Sequence, residues 1–283
     1  MEFPNAHIFL AMSLLATSGC ENPANVTPDR KEREQPMKIL FEFVEGDTAI
    51  VVPATINGKQ VQMVLDTGAG IEALATNIAK DLGIKTTEIL TGKRLNGDPL
   101  TIEMGAAESL SLGNIIRKNW LIAPLDYFDR MSKEINVQGL LSLKFFEDRP
   151  FTIDYPQKFI VLETPESLAK RRNSGFTIPL FLTKEFSQAL GVEIDLEVDR
   201  KWRQRAVVDT GSAPTKLDMP YFQKMGLSPH DPRLQRKSFN TIAKTRVDAI
   251  FLPIPGRIRL AGSEIDNDNH PVRFQENLSA ASI

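Results

Sequence analysis

Residues 64–84 read VLDTGAGIEALATNIAKDLGI, and residues 207–227 read VVDTGSAPTKLDMPYFQKMGL. Both carry two apolar residues, then Asp-Thr-Gly, then a leucine eight residues after the Asp (Leu74, Leu217) and a glycine seventeen after it (Gly83, Gly226). A single three-residue match would mean little, because Asp is a common turn residue. Two copies in matching contexts indicate an internal duplication.

The surroundings repeat as well. Strand-like runs at 49–52 and 60–65 precede the first copy, and runs at 191–198 and 205–208 precede the second. Asn57-Gly58 is a hairpin signal between the first two runs. Helical stretches are expected at 76–82 and 220–225, each ended by its glycine as a C-cap. Asp218 or Met219 followed by Pro220 suits a helix start. Further strand-like runs follow at 89–103, 110–112, 119–123, 137–146 and 151–162, with a turn at Asn96-Gly97-Asp98. After the second copy they follow at 245–252, 257–260 and 272–274. The expected fold is all-β, two-lobed, with short helices. The expected divisions are an export segment at 1–19, a tether at 20–36, a first lobe at 37–163, a linker at 164–175 and a second lobe at 176–283.

Composition narrows the chemistry. The 283 residues carry a formal net charge of −2, which gives no argument for a nucleic-acid partner. One cysteine excludes an intramolecular disulfide, and three histidines supply a metal site or a Ser/His/Asp system poorly. No metal or cofactor is expected. The 36 Asp and Glu residues are the acid/base groups in good supply.

The N-terminus has its own pattern. Residues 8–16 (IFLAMSLLA) are too short an apolar run to span a bilayer as a helix, but they fit the core of an export signal. Thr17-Ser18-Gly19-Cys20 resembles the lipobox of bacterial lipoproteins, which implies cleavage before Cys20 and its lipidation. Glu21 after that cysteine fits an outer-membrane address. The implied location is periplasmic or outer-membrane-anchored. The first seven residues depart from the pattern in having Glu2 and no Lys or Arg, and Thr17 is unusual at its place. Residues 21–36 (ENPANVTPDRKEREQP) read as a flexible tether.

A family resemblance gathers these pieces. Ile56-Asn57-Gly58-Lys59, the run from Leu65 to Ala69, Leu82-Gly83, Gly139-Leu140-Leu141-Ser142 and Thr152-Ile153-Asp154-Tyr155 resemble the sequence of retropepsin-like bacterial aspartyl proteases. The resemblance covers about residues 37–163 and resumes at about 175. It implies the two-lobed acid-protease fold of the pepsin and retropepsin kind, acting as an aspartic-type endopeptidase on polypeptide substrates. Asp66 and Asp209 would be the catalytic carboxyls, supported by Thr67, Gly68, Ala69, Thr210, Gly211 and Ser212. The threonines would cross-brace the two loops, and the glycines would let backbone approach the carboxyls. Ser212, with a hydroxyl that Ala69 lacks, would donate to Asp209 and leave it the more negative of the pair. Asn96, Gly97 and Asp98 stand where such proteases place a flap. Residues 238–246, after the second copy, have no glycine turn of that kind.

Two departures qualify the resemblance. Ser142 stands at the family's second glycine of G-h-h-G, where a side chain would crowd the Asp-Thr-Gly loop. Gly139 lies 73 residues after Asp66, and only 74 residues follow Asp209, so the second lobe is expected to stop before its own G-h-h-G. A partner copy in a homodimer, or the polar tail at 267–283, could fill that gap. The competing reading is a catalytically inactive binding or scaffold lipoprotein that keeps the fold. Phosphate-handling enzymes with Asp-x-Gly turns are disfavoured, since no helix-rich α/β pattern and no P-loop accompany the motif.

Overall fold

Asn57 and Gly58 both take positive φ, 48° and 81°, the backbone of a two-residue hairpin turn. That turn joins two strands whose alternation decides which face is core. Along residues 50–56, Ile50, Val52, Ala54 and Ile56 are all fully buried, while the residues between them are partly exposed. Burying an aliphatic side chain of this size stabilises by roughly 1.5–3 kcal/mol.

The structure, a computed structural model, describes residues 9–12, 35–44, 49–93, 99–185, 189–198, 202–212, 216–218, 226–228, 230–240, 246–252, 258–260, 263–265, 272–275 and 281–282. In chain order the elements begin with β1 (Phe9–Met12), β2 (Met37–Leu40), β3 (Glu42–Phe43), β4 (Ile50–Ile56), β5 (Lys59–Asp66), β6 (Glu72–Ala75), α1 (Thr76–Asp81), β7 (Thr86–Lys93) and β8 (Pro99–Leu112). Next come β9 (Ile115–Leu125), α2 (Asp126–Ile135), β10 (Gly139–Ser142), a 3-10 turn at Leu143–Phe146, β11 (Phe151–Asp154), β12 (Phe159–Leu162) and α3 (Pro165–Ser174). The remainder is β13 (Phe181–Glu185), β14 (Ala189–Val198), β15 (Trp202–Val207), β16 (Lys216–Asp218), β17 (Gln235–Asn240), β18 (Arg246–Leu252), β19 (Ile258–Leu260), β20 (Ser263–Ile265), β21 (Val272–Gln275) and β22 (Ala281–Ser282). The fold is all-β with short helices, as the duplication implied.

The chain forms two compact units. The first comprises residues Met1–Leu65, Ile71–Glu88 and Glu103–Thr177; the second comprises Asp66–Gly70, Ile89–Ile102 and Ile178–Ile283. One sheet has the order β3-β4-β5-β10-β6-β9-β8-β7, and a four-stranded sheet has the order β1-β11-β12-β2. Phe146 and Phe151 pack at 4.3 Å between ring centroids in the core of the first unit, with Phe41 and Phe145 also fully buried. In the second unit the order is β17-β18-β21-β16-β22-β15-β14-β19-β20, and β13 pairs with β14.

Several expectations change here. Residues 164–175, expected as a linker, hold a helix at Pro165–Ser174. Thr164 accepts from the Ser167 N–H at 3.2 Å, and the Ser167 hydroxyl accepts from the Thr164 N–H at 2.9 Å. That reciprocal cap, with Pro165 in the first turn, starts a helix wherever it occurs. The run at 137–146 is a four-residue strand followed by a 3-10 turn, and 151–162 is a hairpin turning at Lys158 (φ 57°). The helix α2 was not anticipated, although Phe128, Met131 and Ile135 stand at helical spacing and the first two are buried. The expected helix at 220–225 and the turn at Asn96-Gly97-Asp98 lie outside the described residues, as do Cys20 and residues 21–34 of the tether. Within the apolar N-terminal run, Phe9–Met12 pair antiparallel with Phe151–Asp154. Among the described residues no helix is long and apolar enough to cross a membrane.

Ser142 does not obstruct its surroundings. It is fully buried, its hydroxyl donates to Glu72 Oε1 at 2.8 Å, and its oxygen accepts from the Lys144 N–H at 3.1 Å. Glu72, only 2% exposed, is therefore a buried acid with a dedicated donor. The Trp120 indole N–H lies near enough to favour the ionised form, though without a hydrogen bond of normal geometry. Burial nevertheless dominates and pushes the Glu72 carboxyl up.

A carboxyl raised by folding holds its proton more tightly in the folded chain. Its contribution is thus complete below the unfolded value and lost as pH rises toward the folded one. The first unit should lose stability as pH climbs above roughly 4.5, and Glu72→Gln should flatten that slope. Hydrogen exchange of β6 and β10 amides, corrected for intrinsic rates and followed from about pH 4 to 8, reads the effect. An identical slope in wild type and variant would exclude Glu72 as its source.

Candidate active site

The strand β5 runs directly into Asp66, and β15 ends two residues before Asp209. After each Asp the chain turns in the same way. The Ala69 N–H donates to Asp66 O and the Ser212 N–H to Asp209 O, both at 3.3 Å. The Gly68 N–H donates to Asp66 Oδ1 and the Gly211 N–H to Asp209 Oδ1, both at 2.9 Å. Each turn therefore aims a backbone donor at its own carboxyl.

The structure brings the two loops together within the second unit, to which residues 66–70 also belong. The Thr67 N–H donates to Thr210 Oγ1 and the Thr210 N–H to Thr67 Oγ1, each at 3.1 Å. The fully buried Thr67 hydroxyl donates in turn to Val208 O at 2.7 Å. A hydroxyl accepts and donates at once, so one threonine oxygen ties two backbone positions of the opposite loop.

This closeness explains the glycines. A Cβ at Gly68 would lie 2.5 Å from Cγ of Asp209, and one at Gly211 would overlap the carboxyl of Asp66. Neither loop tolerates a side chain where it crosses the other's acid.

Each loop's glycine lies against the other's acid, so the Asp66 and Asp209 carboxyls are near neighbours. Burial first, then the charge of Asp209 and the contact with it, push the Asp66 carboxyl up to about 7. The N–H groups of Gly68 and Ala69, the latter donating to Asp66 Oδ1 at 3.0 Å, oppose this. Asp209 itself is 7% exposed. The arrangement can hold one proton between two acids at a pH where isolated carboxyls are ionised.

Ser212 differs from expectation. Its hydroxyl is buried and makes no hydrogen bond among the described residues, so it is not the donor to Asp209. The backbone N–H of Gly211 takes that place. Glu72 was not singled out from the sequence either. The signal for it was an acid opening a strand, Glu72–Ala75, whose four residues are all buried.

Residues 52–145 match the family model described as aspartyl protease. A retropepsin-like aspartic protease from Rickettsia conorii is similar at 20% identity, over 46% of this chain and 90% of its own, with a TM-score of 0.32. No curated protein matches the chain. Over residues 52–145, which contain Asp66 and the Glu72–Ser142 pair, the chain is similar in sequence to the aspartyl protease family.

Proposed function

We propose that this chain is an aspartic endopeptidase whose Asp66 and Asp209 carboxyls activate a water for attack on a peptide carbonyl. The observation that carries the reading is the closeness of the two carboxyls, reached by matching turns and cross-tied by Thr67 and Thr210. Similarity of residues 52–145 to the aspartyl protease family supports the same reaction class.

The chemistry follows from the shared proton. With Asp66 protonated and Asp209 ionised, Asp209 takes a proton from the water as its oxygen bonds to the carbonyl carbon. Asp66 gives its proton to the carbonyl oxygen, and a neutral gem-diol results. The C–N bond then breaks as the proton on Asp209 passes to the leaving nitrogen and a diol proton returns to Asp66. No net charge is created in a site where charge is costly.

Purified protein incubated with an unstructured polypeptide, with and without pepstatin, tests the reading. Asp66→Asn and Asp209→Asn should each cut hydrolysis by on the order of a hundredfold or more, since each removes one acid/base partner. Either variant keeping more than about a tenth of the activity would remove the shared-carboxyl mechanism.

The same reading fixes a pH dependence. Asp66 must hold its proton at the start of the reaction, and its carboxyl is pushed up to about 7. Activity should therefore decline as pH rises through that value. A kcat/KM profile that stays flat on going well above neutrality would contradict the assignment.

The N-terminus enters as part of the proposal: export, cleavage before Cys20 and lipid attachment there. Such cleavage removes Phe9–Met12, so a mature lipoprotein lacks the β1 strand on the edge of β11. Cys20→Ser should move the protein from the detergent phase to the aqueous phase on partition. Unchanged partition would discard the lipid anchor while leaving the protease reading intact.

A further inference from the structure

The second unit repeats the first strand for strand. β4-β5-β10-β6-β9-β8-β7 in the first sheet corresponds to β14-β15-β22-β16-β21-β18-β17 in the second. The pairing senses match too. β6 and β9 are parallel, as are β16 and β21, whereas β8 with β9 and β18 with β21 are antiparallel.

In this correspondence Gly139–Ser142 of the first unit falls on Ala281–Ser282 of the second. Leu140 pairs antiparallel with Ala73, seven residues after Asp66. Ser282 pairs antiparallel with Lys216, seven residues after Asp209. Ser282 thus stands where Leu140 stands, and Ala281 where Gly139 stands. The place left open by the sequence is taken by residues of the polar tail.

We propose that Ala281–Ser282 is the positioning strand for Asp209. β15 leads into the Asp209 loop and β16 leaves it, and in the sheet order these two are separated by β22. On one side Ala206 and Val207 pair in parallel with Ala281 and Ser282, immediately before Val208 and Asp209. On the other side Ser282 pairs with Lys216. Two interstrand spacings of roughly 4.8 Å therefore set the width of the loop that carries the carboxyl. Removing β22 leaves two strand edges facing a gap one strand wide, with backbone groups seeking new partners. The loop's width, and with it the direction of the Asp209 carboxyl, is then no longer fixed. Substrate binding elsewhere is untouched, so the effect belongs in kcat and in the titration of the carboxyl pair.

For its kinetic arm this inference rests on the proposed protease activity; its titration arm does not. In the full chain, Ala281→Pro deletes the N–H of Ala281 and disfavours the extended pairing of its neighbours. Ala281→Gly keeps every backbone group and restores the residue found at the matching place in the first unit. Carboxyl carbon NMR reads the Asp66 titration in each protein whether or not peptides are cut. Ala281→Pro should shift the Asp66 midpoint downward by about one unit or more as Asp209 moves away, and cut kcat about tenfold or more with KM within about twofold. Ala281→Gly should retain both. Retained amide protection at Val192 and Ile194 shows that the unit is folded; should Ala281→Pro unfold it, the chain lacking only Ser282 and Ile283 is used for the same titration. An unchanged Asp66 midpoint in the folded variant overturns the inference. A shifted midpoint in a protein that cuts no peptide upholds the positioning strand and overturns the protease reading instead.

Discussion

Two neighbouring carboxyls repel once both ionise, and the repulsion grows as water is excluded. What holds Asp66 against Asp209 is therefore the constraint on which the site rests, and it is supplied by threonine hydroxyls bonded to backbone. Thr67 receives the Thr210 N–H and donates to Val208 O, while Thr210 receives the Thr67 N–H. Such bonds resist separation without adding charge, which a lysine or arginine brace would do. A neighbouring cation would favour ionisation of both acids and abolish the shared proton. A neutral brace has no such effect.

The same economy of charge appears at Glu72. A buried acid is costly unless it is neutralised or well supplied with donors. Ser142 gives it a hydroxyl at the point where β10 lies beside β6, in the place of a second glycine. Space that a glycine leaves empty is here filled by a matched polar pair. The Glu72–Ser142 pair thus fastens the strand that leaves the Asp66 loop to its neighbour through side chains as well as backbone.

Much of this was legible in the sequence because it rests on local chemistry. Asn57-Gly58 specifies a turn whatever surrounds it, and Gly83 ends α1 with φ 70°, as a C-cap glycine does. The duplicated Asp-Thr-Gly was readable because glycine is required where each loop crosses the other's acid. Three features escaped for lack of a local signal of the kind sought. α3 was hidden by its polar surface, with Leu168 its one buried residue, although Thr164-Pro165-Glu166-Ser167 carried a cap. The Ser212 hydroxyl was assigned to Asp209 from its place after Asp-Thr-Gly, but direction depends on the turn, and the backbone N–H of Gly211 faces the carboxyl. Ala281–Ser282 has no glycine and no apolar run to mark it as the partner of β15 and β16. Its place is set by topology, which only the partner strands reveal.

That topology also sets an order of events. In both units the strand that closes an Asp-Thr-Gly loop lies far downstream of it: Gly139 for Asp66, and Ala281 for Asp209. Loops of some seventy residues close slowly compared with a local hairpin, and a chain made from its N-terminus exposes the early strands first. On a ribosome, β5 with β6 and later β15 with β16 emerge as unfinished ladders long before their central strands exist. Each acid is thus synthesised early and assembled late. A nascent chain of this kind passes most of its synthesis before the strands that close its two Asp-Thr-Gly loops have been made.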